Sequence, residues 1–205
     1  MRPSLVLAAG LAALAACQPA AAPSAGESAP VAALADTSPA GCVASVEVPW
    51  GPIGPSEHPS YSVEAFTSGS VCEASVVTLL VRARDGFPIY AWARPVQHLF
   101  GLKDAKDPAA MQAALGDWIS RAKENQTTAS LPPWEETEGQ PRRAEFPFMP
   151  SESHASAEAY NALKAQNRPM LCFPQGSESE QCLALYNDGD GPASLDEIGL
   201  QLFPG

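Results

Sequence analysis

The chain has 205 residues, 23 acidic and 12 basic, a net charge of −11 and an isoelectric point near 4.6. Acidity of this size repels nucleic acid and anionic headgroups alike, which argues against a nucleic-acid partner.

Residues 1–16 carry one cation, Arg2, ahead of an apolar run from Leu5 to Ala16 that turns to small residues at its end. This is the pattern of a secretory signal, and the run is shorter than the roughly 20 apolar residues a bilayer span needs. It closes on Leu14-Ala15-Ala16-Cys17, which resembles the lipobox of bacterial lipoproteins. The resemblance covers about the first 17 residues. It implies cleavage before Cys17 and acylation of that residue with palmitate-type chains. Gln18 stands where an aspartate would retain some lipoproteins at the inner membrane. The resemblance therefore implies the outer membrane, with the protein facing the periplasm or the cell surface. Each buried methylene contributes about 0.8 kcal/mol, so several acyl chains hold a protein that inserts no segment of its own. Loss of Arg2 with the signal takes the net charge from −11 to −12.

Residues 17–41 form the lipidated N-terminus and a tether dominated by Ala, Pro, Ser and Gly, charged only at Glu27 and Asp36. Such a segment buries too little to offset its ordering entropy, and it lifts the domain off the membrane. Residues 42–205 are the single globular domain.

Cys42–Val48 and Tyr61–Phe66 alternate as strands. Between them, Pro49-Trp50-Gly51-Pro52-Ile53-Gly54-Pro55 reads as an irregular connection, with Trp50 either tucked on the sheet or offered for recognition. From Val76 to Arg94 two apolar-rich runs meet at Asp85-Gly86, a strong hairpin signal. A three-residue loop with Gly86 left-handed pairs Ala83 with Phe87 and puts Val77, Leu79, Val81 and Ala83 on one face with Phe87, Ile89, Ala91 and Ala93. The other face then carries Tyr90, Trp92 and Arg94 opposite Arg82 and Arg84. Exposed, those three residues are a candidate partner-binding surface. Covered by a helix, Trp92 joins a second core layer and the arginines snorkel.

Asp107-Pro108 is a helix start, and Met111, Leu115, Trp118, Ile119 and Ala122 follow at helical spacing. Asn125–Ser153 reads as a long proline-rich connection whose Trp134, Phe146 and Phe148 anchor it to the domain. A second helix covers 155–166 with Ala159, Tyr160 and Leu163 inward, and Ile198, Leu200 and Leu202 mark a last strand.

Apart from Cys17 there are four cysteines, Cys42, Cys72, Cys172 and Cys182, an even number that points to disulfides in an exported chain. Three pairings are open. Facing Cys172 with Cys182 across a hairpin sets Leu171 opposite Leu183, which favours that bridge and leaves Cys42 with Cys72. The order of elements predicts an α+β fold: an antiparallel sheet with two helices packed on one face, disulfide-bonded.

No chemistry rises above background. Ser120-Arg121-Ala122-Lys123 matches S-x-x-K without its companion motifs, and Asn187–Gly191 fails the ligand spacing of a calcium loop. His58, His98 and His154 are isolated, so neither metal nor cofactor is expected. The chain reads as a lipid-anchored envelope protein, a non-enzymatic binding or structural module for an envelope protein or polysaccharide. The alternative is an envelope-polymer hydrolase with Glu135 or Glu136 from the long connection.

Overall fold

The computed structural model describes residues 41–53, 59–187 and 193–203. The N-terminal residues up to 40, including Cys17, lie outside the described residues, as do residues 54–58, with Gly54, Pro55 and His58, and residues 188–192.

Strands β1 (Ala44–Ile53), β2 (Pro59–Ser68), β3 (Val76–Ala83) and β4 (Pro88–Pro95) form an antiparallel meander. Its inner face is Val63, Ala65, Val77, Leu79 and Val81, all fully buried. The expected irregular connection is in part strand: Pro49, Trp50 and Ile53 extend the β1 pairing past Val48, and Trp50 is 1% exposed with its ring 5.9 Å from that of Tyr61. Trp50 is therefore tucked against the sheet.

The β3–β4 turn is the expected three-residue loop. Gly86 donates to the Ala83 carbonyl at 2.8 Å, Ala83 donates to Phe87 at 2.9 Å, and Gly86 takes φ 85°. The faces, however, are not as the alternation suggests. Arg82 lies opposite Pro88 and Val81 opposite Tyr90, so Ile89 is an extra residue in β4. One inserted residue reverses the facing of all that follows, and Tyr90, Trp92 and Arg94 end up on the side of Val77, Leu79 and Val81. Ala91 and Ala93 point to solvent instead. The reason is area: each buried aromatic removes about 150–250 Å² from water, far more than the alanines could.

Helix α1 (Pro108–Trp118) starts as expected, with the Asp107 carboxylate accepting from Ala110 N–H at 2.8 Å. It tightens into a 3-10 turn at Ser120–Glu124, yet Met111, Leu115, Trp118, Ile119 and Ala122 are all buried. Gln112 reaches the edge strand: its carboxamide accepts from Ser45 N–H at 3.0 Å and donates back to the Ser45 carbonyl.

The long connection holds more structure than its prolines suggest, namely β5 (Trp134–Glu135), β6 (Gln140–Arg143) and β7 (Phe146–Pro150). Strand β7 pairs with β6 through Phe146 and Pro147, and with the last strand through Phe148, Met149 and Pro150. Neither proline sits in a stretch bonded on both sides, which is how a strand tolerates two. Helix α2 (Ala157–Ala165) is capped by the Ser156 hydroxyl, which accepts from Ala159 N–H at 3.2 Å. Strands β8 (Met170–Pro174), β9 (Ser179–Tyr186) and β10 (Ser194–Leu202) complete a second antiparallel sheet, in the order β5-β6-β7-β10-β9-β8.

The fold is thus α+β with antiparallel pairing throughout, but the strands divide into two sheets. Leu171, Phe173, Leu183, Leu185 and Leu195 face the first sheet and α1 in one core. Met170, Cys172, Cys182, Ala184 and Ile198 face Tyr160 and Leu163 of α2 in another. The two helices therefore serve different cores rather than one common face. Burial on both sides explains why β8 and the Cys182–Tyr186 part of β9 are nearly continuous apolar runs. Both disulfides form, Cys42–Cys72 and Cys172–Cys182, the latter directly across β8 and β9 with Leu171 opposite Leu183.

Candidate functional site

The three residues singled out as an aromatic surface are engaged inside the domain. The Trp92 ring lies 5.2 Å from Phe173 and 6.0 Å from Trp118, with the Arg94 guanidinium 5.6 Å from its centroid. Arg94 Nη1 donates to the Gln175 carbonyl at 2.6 Å and to its side-chain oxygen at 3.1 Å. The Tyr90 hydroxyl donates to Glu197 at 3.2 Å; burial first, then the Glu197 charge, raises its pKa. Both readings from sequence put these residues on the outer face with Arg82 and Arg84; they are instead half-buried on the inner face, in the first core, against Phe173 of β8 and Trp118 of α1.

The carboxylates of the long connection are not gathered in a cleft. Glu135 and Glu136 are exposed at the β5–β6 turn, where Glu138 and Gly139 donate back to the Glu135 carbonyl and Glu138 pairs with Arg142 at 3.4 Å. Ser120 is exposed as well. The Ser151 and Ser153 hydroxyls both lie 3.0 Å from His154 Nδ1, but all three belong to one 3-10 turn and satisfy one another locally. Among the described residues no group of His, Cys, Asp and Glu could hold a metal ion, and no helix is long and apolar enough to cross a membrane.

A concavity lined by uncharged polar groups lies elsewhere. Two adjoining hollows of about 270 and 360 Å³ share Pro52 and Pro169. Trp50, Gly51, Asn125, Gln126 and Thr127 line the first, and Gln166, Asn167, Arg168, Leu185 and Asn187 the second. Four parts of the chain meet here: the end of β1, the segment after the 3-10 turn, the α2–β8 connection and the end of β9. Asn125 and Asn167, at φ 46° and 51°, end their helical segments in the left-handed conformation that asparagine tolerates well. The two segments are then laced together. Thr128 N–H donates to Arg168 at 2.8 Å, Met170 N–H to Gln126 at 2.8 Å, and the Thr127 hydroxyl to Asn167 Oδ1 at 2.6 Å. Arg168 stacks 4.1 Å above the Tyr186 ring.

Apolar side chains thus form the floor, and amides and a hydroxyl, groups that both donate and accept, form the walls. Among the described lining residues Arg168 is the one charge and there is no carboxylate. Comparison of the chain with protein-family models, with curated proteins and with solved structures returned no match.

Proposed function

We propose that this chain is a lipid-anchored protein of the bacterial outer membrane, held through Cys17, and that its domain binds a neutral polysaccharide without turning it over. The lipobox resemblance behind an apolar run supports the anchor, and the two disulfides of the domain suit an oxidising compartment. The observation that carries the binding role is the Pro52–Pro169 groove. Its proline floor suits the C–H face of a sugar, and its amides match sugar hydroxyls.

Retention on a panel of neutral glycans tests this. Wild type is retained, while Pro52→Asp and Gln126→Ala lose retention with unchanged melting. Equal retention of wild type and both variants overturns the assignment. Release of soluble sugar that disappears in Glu135→Gln or Glu136→Gln would establish the hydrolase instead.

A further inference from the structure

Resting on the reading that Cys17 is acylated, we propose that the end of the domain from which the tether departs lies on the bilayer surface, its exposed apolar side chains in the headgroup region. Large exposed hydrophobic side chains collect at that end. Val43 is 72% exposed, Val71 54%, Phe100 46% and Val76 37%. They come from separate parts of the chain. The Cys42–Cys72 bridge brings the neighbours of Val43 and Val71 together, and Cys42 N–H donates to Gly69 at 2.8 Å. Val76 pairs with Ser68 and Pro95 at the ends of their strands, and Val96 N–H donates to Ser75 at 3.0 Å. Phe100 follows four residues on, its N–H donating to Gly176 at 3.2 Å and its ring 6.0 Å from Phe203 at the end of β10. A cleft of about 450 Å³ opens beside it, lined by Phe100, Gly101, Ala114, Trp118 and Pro174 and by the carboxylate-bearing Asp117.

What covers this end is indicated by where the rest of the chain goes. The described chain begins at Gly41, next to Cys42, and the residues back to Cys17 lead to the lipid. Only 24 residues separate Cys17 from Cys42, so acylation at Cys17 keeps this end at high effective concentration near the membrane. The Glu73 carboxylate is paired with Lys106 at 2.6 Å, while exposed Asp104 and Asp117 at this end oppose anionic headgroups, so the contact rests on the apolar side chains. Strand β1 then runs from this end to Pro52, placing the groove about 30 Å away and clear of the lipid.

The full-length lipidated protein in phosphatidylethanolamine–phosphatidylglycerol vesicles provides the test. A p-benzoylphenylalanine photocrosslinker replaces Val43, Val71 or, at the opposite end of the first sheet, Phe87, which is 62% exposed. The expected result is at least about fivefold more lipid adduct at Val43 and Val71 than at Phe87. Protein that floats with the vesicles but forms no lipid adduct at Val43 or Val71, or adducts only to protein there, overturns the membrane contact and leaves the anchor standing. Protein that does not float overturns the anchor and the contact with it.

Discussion

The Phe148 ring occupies the space that a side chain on Gly199 would need. A Cβ built on Gly199 would meet the ring at 2.6 and 2.7 Å and would also run into the Met149 carbonyl, and the glycine has φ 150°. Strand β10 can pair with β7 here only because residue 199 has no side chain. Gly199→Ala is expected to destabilise the domain by about 3 kcal/mol, from overpacking and backbone strain together. A urea midpoint unchanged from wild type would contradict this.

Removing the Trp92 ring separates a core layer from a surface. Its contacts with Trp118 and Phe173 predict that Trp92→Ala loses about 3 kcal/mol, near the low end for a large aromatic because the ring is only partly covered. Thermal melting reads it. A melting temperature within a degree or two of wild type would return this ring to the surface.

Gln112 bonds both the N–H and the carbonyl of Ser45, covering a place where edge strand β1 could pair with another chain. Gln112→Ala is expected to lose about 1 kcal/mol and to self-associate more at high concentration. Light scattering across a concentration series is the measurement, and a strictly monomeric variant would show that the edge is protected by other means.

The two bridges should differ in worth. Cys42–Cys72 closes a separation of 30 residues and Cys172–Cys182 one of 10. The chain-entropy relation makes the longer loop worth about 1 kcal/mol more. Paired Cys→Ala variants compared by urea unfolding check the order, and non-reducing peptide mapping checks the pairing.

His154 predicts a dependence on pH. Burial lowers its pKa from 6.5, partly opposed by the nearby Asp196 charge. Above 6.5 the imidazole is neutral folded and unfolded. As pH falls through that value the unfolded chain takes up the proton first, so stability is lost on acidification until the folded pKa is reached. His154→Asn should therefore lose less stability than wild type between about pH 7.5 and 5.5. Equal losses would mean that carboxylates, not His154, set the acid limb.

What could be read from the residues was local. Asp107-Pro108 announced α1, the 3.6-residue spacing of Met111, Leu115 and Trp118 marked its buried face, and the leucines flanking Cys172 and Cys182 selected the bridge. Reading failed where one residue's placement depends on a distant partner. The bulges at Ile89 and Ile198 interrupt alternation that looks regular in sequence, and both answer to packing from elsewhere in the chain. Strands β5 to β7 were hidden because each makes only two to five pairings. The groove left the faintest trace. Pro52, Gln126 and Asn167 each resemble ordinary loop residues, and the one shared signal was an asparagine closing each of two helical segments.

The place of β10 bears on how the molecule is made. The first sheet uses neighbouring strands in sequence order, so a chain emerging from its N-terminus can finish that sheet early. The second sheet cannot close in this way. The three strands β5-β6-β7 and the pair β8-β9 meet only through the last strand, which lies between β7 and β9. Until residues 194–202 are in place, β7 and β9 each present a bare edge, and a chain truncated before that point would leave a sticky half-built protein rather than a shorter stable one.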